Sequence, residues 1–441
     1  QLPQPPVTDP VGVRLNWKTT FNLAQAAFLA LDSNLKRLYV LTAADPGQIM
    51  VYDTDNGVLL TTIAKVEEQG VGLAIDPTGQ FLYVMRHIAD TPGNYFLRVI
   101  DIYDLNNPST VNDLPLTDGT LDHPPLLRVS PAADGKVFTL DINASPKSLI
   151  IWKTDINSLL ADATAINNAK YATVTNATHS GAIHTDPRAI AVSPDGTWLF
   201  IGDGTSYDVQ VSRIDTLTQP LASQVTQNIS LSGETPKLLA VSGDSLRLYV
   251  VTAPATGNYK VHAFQLSVSS PGSPPTLTEI GSGVAIGADD PVALAVSPSG
   301  KWAYVLSKDS TGKGAIQVIN GEKLATDPAH AVLSPTAVLA TPQDLLLNPD
   351  GRQVYASGLG TTDQPASGVS VLEVDEEPCR ELLWRALEGC PTCPEDTCVP
   401  LAAIRGYKDG MSISDQDIDN RIRPLVPSTE TLRKLILCAL E

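Results

Sequence analysis

Cysteine is missing from the first 378 residues of this 441-residue chain, so that stretch has neither a disulfide nor a thiolate metal site. Basic charge is scarce. Thirty Lys and Arg face 48 Asp and Glu, a net charge of −18, and no local basic patch offsets it. Phosphate backbones and anionic lipid surfaces are repelled by such a chain, and nucleic acid is not an expected partner. No run approaches the roughly 18 continuous apolar residues a spanning helix needs, so no membrane span is expected. Only six histidines occur, at His87, His123, His179, His184, His262 and His330. None has an HxH or HExxH spacing, and no GxSxG elbow, Walker loop or helix-opening GxGxxG is found. Residue 1 is glutamine and no apolar leader precedes the fold, so the sequence reads as a processed form or a fragment. What is present is a 43% hydrophobic composition with 31 glycines and 34 prolines, enough for a large core interrupted by many turns.

The turns come from a repeat. A short apolar strand ends in Asp, Ser or Asn, a tight turn follows, and a second strand of the Leu-Tyr-Val type begins. The unit reads LALDSNLKRLYVL, LAIDPTGQFLYVM, LRVSPAADGKVFTL, IAVSPDGTWLFIG, LAVSGDSLRLYVV, LAVSPSGKWAYVL and LLLNPDGRQVYAS, with Asp32, Asp76, Ser130, Ser193, Ser242, Ser297 and Asn348 opening the turns. In Ser193-Pro194-Asp195-Gly196 proline sets φ, the serine side chain caps the backbone and glycine takes positive φ. A third strand follows in each unit, such as SLIIWKTD, and a weaker fourth in several, such as GVLLTTIA from Gly57.

Four antiparallel strands repeated seven times predict an all-β chain, a seven-bladed β-propeller of the WD40-like kind, over residues 11–375. Tyr39, Tyr83, Tyr249, Tyr304 and Tyr355 are expected in the core between blades. The last unit supplies only three strands, so the orphan segment 11–21 is expected to complete it and remove an exposed edge. Residues 1–10, with four prolines, read as an extended arm. Asp53, Asp101, Asp155 and Asp215 end third strands, as turn caps in preference to calcium ligands. His179 and His184 fall in a polar insertion, and His262 reads as a packed edge residue.

These units resemble the YVTN-type propeller repeat of surface-layer-like and lactonase-like proteins. The lactonase-like members imply an Arg, Glu and His grouping at the channel mouth. Arg86 and His87 follow the second Tyr-Val strand and Arg128 sits in the third unit's first strand, but no glutamate occupies a comparable strand end, so the grouping is not placed residue by residue.

After Asp375 the sequence changes character. Residues 376–441 read as a small cysteine-containing α+β extension that docks the propeller onto something larger. A helix from Pro378 is followed by CPTCPEDTC, by a strand pair about Lys408-Asp409-Gly410, and by an amphipathic helix from Ser428 with Leu432, Leu435, Ile436 and Leu440 on one side. Cys379, Cys390, Cys393 and Cys398 are spaced to hold one zinc ion through their thiolates, or to form two disulfides, or to remain unlinked. Cys438 is left free or packed in the last helix. Asp415, Asp417 and Asp419 lack the glycine and glutamate of an EF-hand loop and read as solvated. The segment PLAAIRGYKDGMSISDQDIDNRIRPLVPS resembles structural proteins of phage tails and of phage-tail-like contractile injection particles. It implies protein partners in an oligomeric assembly and an extracellular or particle-associated setting. The expectation is therefore a non-enzymatic interaction or structural scaffold. The alternative is a lactonase-like propeller enzyme acting on a sugar lactone.

Overall fold

The computed structural model describes residues 13–64, 66–88, 95–116, 126–129, 136–141, 148–152, 170–175, 186–217, 225–269, 273–287, 289–361 and 366–375, with 403–404 and 418–419. The chain divides into two compact units, Trp17–Glu373 and the pair Gln1–Asn16 with Val374–Glu441. The first is a seven-bladed β-propeller, each blade an antiparallel meander around a common channel. The first strands of the blades, which line that channel, are Ala26–Asp32, Gln69–Ile75, Leu126–Val129, Pro187–Val192, Thr235–Val241, Asp290–Val296 and Pro342–Leu347.

The tight turn forms as its residues dictate. Ser193 Oγ accepts the Trp198 N–H at 2.8 Å, Gly196 N donates to Ser193 O at 2.9 Å, and Gly196 sits at φ 71°. A side chain there would meet the left-handed penalty. The same five-residue reach recurs from Arg247 N to Ser242 Oγ (2.9 Å), from Trp302 N to Ser297 Oγ (2.9 Å) and from Gln353 N to Asn348 Oδ1 (2.8 Å). Asp53 Oδ1 caps its turn through the Asp55 and Asn56 amides, and Asp101 Oδ1 through that of Tyr103. Asp215 pairs with Arg213 at 2.7 Å, where the chain enters a 3-10 turn at Ile214. Asp155 lies outside the described residues.

Burial is between blades. Tyr39, Tyr83, Tyr249, Tyr304 and Tyr355 are each at most 1% exposed. Tyr249 also ties its blade to the next, donating its hydroxyl to Gly300 O at 2.6 Å. Each such cluster joins the second and third strands of adjacent blades, as Leu97, Val99, Val137 and Trp152 do between the second and third.

Blade seven is built from both ends of the propeller sequence. Strand Arg14–Asn22 lies on the outer side of Gly368–Asp375. Leu23 N donates to Ser367 O at 3.2 Å, and Lys18 pairs with Glu373 at 3.2 Å, so the two run antiparallel. Phe21 enters the cluster between blades seven and one, with Leu38, Tyr52, Tyr355 and Val369, and stacks on Tyr52 at 4.8 Å.

In the second unit, Ala403–Ile404 pairs with Ile418–Asp419, Ile404 opposite Ile418. A tight turn at 408–410 would set Ile404 against a residue four positions earlier. The arm 1–10, Cys379, Cys390, Cys393, Cys398 and Cys438, and Leu432, Leu435, Ile436 and Leu440 lie outside the described residues, as do His123, His179, His184, Asp415 and Asp417. No helix among the described residues is long and apolar enough to cross a membrane.

Candidate functional site: the channel and its charged mouth

Six of the seven first strands share an irregularity that helps decide what lines the channel. Their register against the second strands slips between Ala26 and Phe28, Gly70 and Gly72, Pro187 and Ala189, Pro236 and Leu238, Pro291 and Ala293, and Pro342 and Leu345. Proline, which has no N–H to give the ladder, stands just before four of these bulges. A bulge leaves a residue unpaired and re-aims its side chain. The bulged Val71, Arg188, Lys237, Val292, Gln343 and Asp344 all line the central cavity, of about 610 Å³.

Most of the remaining lining is aliphatic, including Leu29, Leu73, Leu127 and Leu239. Among the described residues the charged ones are Arg128, Arg188, Lys237 and Asp344. The three cations sit on consecutive blades, three to five, and the carboxylate on blade seven. Arg188 is held by Asp186 (Nη2 to Oδ2, 2.8 Å), and Lys237 by Asp290, which also pairs with Lys308 at 3.2 Å. Arg128 differs. Its Nη1 donates to the neighbouring Leu127 O at 2.7 Å, and its guanidinium makes no other hydrogen bond or ion pair among the described residues. It reaches channel water although the ring encloses it. That enclosure lowers its pKa from the ordinary arginine value, with the Asp344 charge opposing.

Asp344 is a seam residue as well as a channel residue. Its Oδ2 accepts the Leu29 N–H of blade one at 2.9 Å, and its Oδ1 accepts the Leu345 N–H at 2.8 Å. Its own N–H donates to Ser357 Oγ (3.0 Å), whose hydroxyl donates to Ala27 O (2.5 Å). Burial nevertheless pushes its carboxyl up to about 6, against those amides and Arg128.

Two ion-pair networks join the connections that precede first strands to the outer strands of their blades. In blade two, Asp113 receives both nitrogens of the Arg98 fork at 2.8 and 2.6 Å, and those of Arg86 at 3.1 and 3.0 Å. Arg98 also reaches Glu67 at 3.0 Å, and Arg86 pairs with Glu68. Burial raises the Asp113 carboxyl, but the two guanidinium groups outweigh it and hold it below the usual range. In blade five, Glu234 receives Thr252 Oγ1 at 2.5 Å and Lys260 Nζ at 2.5 Å, and lies 2.9 Å from His262 Nε2. His262 Nδ1 lies 2.7 Å from Glu279. Burial opposes ionisation of Glu234, yet these partners bring its pKa down to about 2.

These arrangements alter two expectations. A glutamate does stand beside Arg86, but not at a strand end: Glu68 arrives on the connection before the first strand. His87, one residue on, stacks on Tyr95 at 4.7 Å. His262 is not simply a packed edge residue; it bridges two carboxylates, because register sets it between Glu234 and Glu279. No group of three or more His, Cys, Asp or Glu able to hold a metal ion occurs among the described residues, and the four candidate zinc cysteines lie outside them.

Among solved structures, the hydrazine synthase of Kuenenia stuttgartiensis is similar to this chain at 16% identity and a TM-score of 0.54, covering 81% of this chain and 98% of its own. The Cps50 (Swd1) β-propeller domain of Myceliophteria thermophila is similar at 12% identity and a TM-score of 0.52, covering 82% of this chain and all of its own. At such identities the likeness concerns the fold. No protein-family model and no curated protein sequence matches the chain.

Proposed function

We propose that the protein is a non-enzymatic interaction scaffold, a propeller displayed on a larger assembly through the segment after residue 375. One observation carries this reading. Because Arg14–Asn22 and Gly368–Asp375 are antiparallel neighbours on the outside of blade seven, the chain enters and leaves the ring side by side. Blades one to six carry neither the entry nor the exit of the chain, which supports partner binding on their surfaces. Propellers commonly use such surfaces for protein recognition, and the fold is compatible with that use. The likeness of 400–428 to phage-tail structural proteins supports a particle of that type as the assembly, with Cys379, Cys390, Cys393 and Cys398 cross-linking the segment after residue 375 through zinc or disulfides.

The test is in solution. The full chain should self-associate, or bind purified tube, baseplate or fibre proteins. Changing both Leu435 and Ile436 to Asp should abolish that binding while circular dichroism of the ring is unchanged. A strictly monomeric chain that binds none of them removes the reading.

A second reading rests on Glu68 and Arg86 being paired with His87 adjacent, the residue types that the lactonase-like resemblance implies. It requires turnover of sugar lactones that falls at least about tenfold in Glu68→Gln, the size of loss expected when one charged group is withdrawn from a transition state. An absence of turnover in the wild-type chain eliminates it.

A further inference from the structure

We infer that the central channel is a binding site for a small organic anion, whose carboxylate or phosphoryl oxygens are received by Arg128. The inference is independent of how the ring is displayed.

Charge distribution is the first ground. The chain as a whole is strongly negative, but the channel carries three cations against one carboxylate among the described residues. The cations are grouped on blades three to five. Low-dielectric walls focus the field of such a group along the axis, so an anion is drawn inward from a surface that otherwise repels it.

The second ground is what the cations already hold. Asp186 and Asp290 partly neutralise Arg188 and Lys237 near the mouth. Arg128 spends one N–H on Leu127 O and, among the described residues, keeps the rest of a planar five-donor group, which suits two oxygens of one anion. Desolvation inside the ring already depresses its pKa, and an incoming anion would relieve that penalty.

The lining supplies the third ground. Around the channel stand the partly exposed Phe28, Leu73, Leu126, Leu238 and Leu346, which offer nothing to a fully hydrated inorganic ion but can cover an apolar body. About 610 Å³ is within the range of small-molecule sites. Arginine and leucine together select an organic anion with a compact hydrophobic part. Asp344 sits on the facing blade and disfavours a second negative charge at that end.

Isothermal titration calorimetry of the full chain with sodium benzoate, and separately with sodium phosphate, against sodium chloride at equal ionic strength, tests the site. Saturable one-to-one binding of benzoate is expected, tighter than that of phosphate. Arg128→Gln should weaken it about tenfold, the usual value of a charge-assisted hydrogen-bonded pair. Asp344→Asn should tighten it roughly threefold at pH 7.5 by withdrawing a like charge. Should Arg128→Gln fail to fold, the Asp344→Asn result decides alone. No saturable heat with either anion overturns the inference, as does unchanged affinity in the variants that fold.

Discussion

Asp344 is asked to do two things that conflict. Its oxygens fasten blade seven to blade one through the Leu29 amide, yet burial makes its charged form costly and brings its pKa up to about 6. The sign follows from linkage. With a folded pKa above the unfolded 3.8, the protonated native state is favoured. The penalty is absent below about pH 4, grows as pH rises towards 6, and is fully present above it. Asp344→Asn keeps an oxygen for the Leu29 N–H, gives up the acceptor of the Leu345 N–H, and removes the charge, whose burial is the larger effect at high pH. The variant should have a higher Tm than the wild type at pH 8, with the difference vanishing by pH 4; a difference that grows on acidification would refute the account. Glu234 runs the other way: its pKa of about 2 means its contribution is present above the unfolded 4.5 and is lost as pH falls towards 2. Neither property is visible in composition. PQDLLL reads as an apolar strand with polar ends, and only the bulge after Pro342 turns Asp344 towards the channel and the seam. A polar or charged residue just after a proline at the head of a first strand, as in Pro187-Arg188, Pro236-Lys237 and Pro342-Gln343, is the signal that could have found the channel groups.

At the scale of the strand, Arg14–Asn22 is the element whose loss would matter most for its length. Its outer face is largely exposed, and Trp17 is 49% exposed. Its inner side covers the edge of Gly368–Asp375, and Phe21 fills the seam cluster against Tyr52. Phe21→Ala leaves a cavity there and should cost about 3 kcal/mol, seen as a lowered urea midpoint with unchanged slope. Deleting residues 1–22 opens the edge altogether and should lower the midpoint further. Thermal and urea unfolding indistinguishable from wild type would show that closure does not depend on this strand. The strands themselves were legible because local rules agree with the tertiary fold at these places: Ser or Asp before the turn, Gly at positive φ, and β-branched or tyrosine residues after it. The Glu234–His262–Glu279 cluster was not, because its members come from a connection and two strands that only pairing register brings together.

The ring as a whole is held by seams between blades and carries no cysteine. It therefore depends on every blade being present, and blade seven is the one whose parts are farthest apart in the chain. Translation order gives this a temporal meaning. The strand Arg14–Asn22 leaves the ribosome well before its partner Gly368–Asp375, which follows more than 340 residues later, on the order of tens of seconds at ordinary synthesis rates. Throughout that interval six blades can assemble in order while the earliest strand waits, unpaired, with a hydrogen-bonding edge and Phe21 uncovered. A neighbouring nascent chain, emerging from the same message, offers an identical partner, so exchange of this strand between copies is the characteristic error open to the molecule, and crowding on a polysome is the condition that favours it.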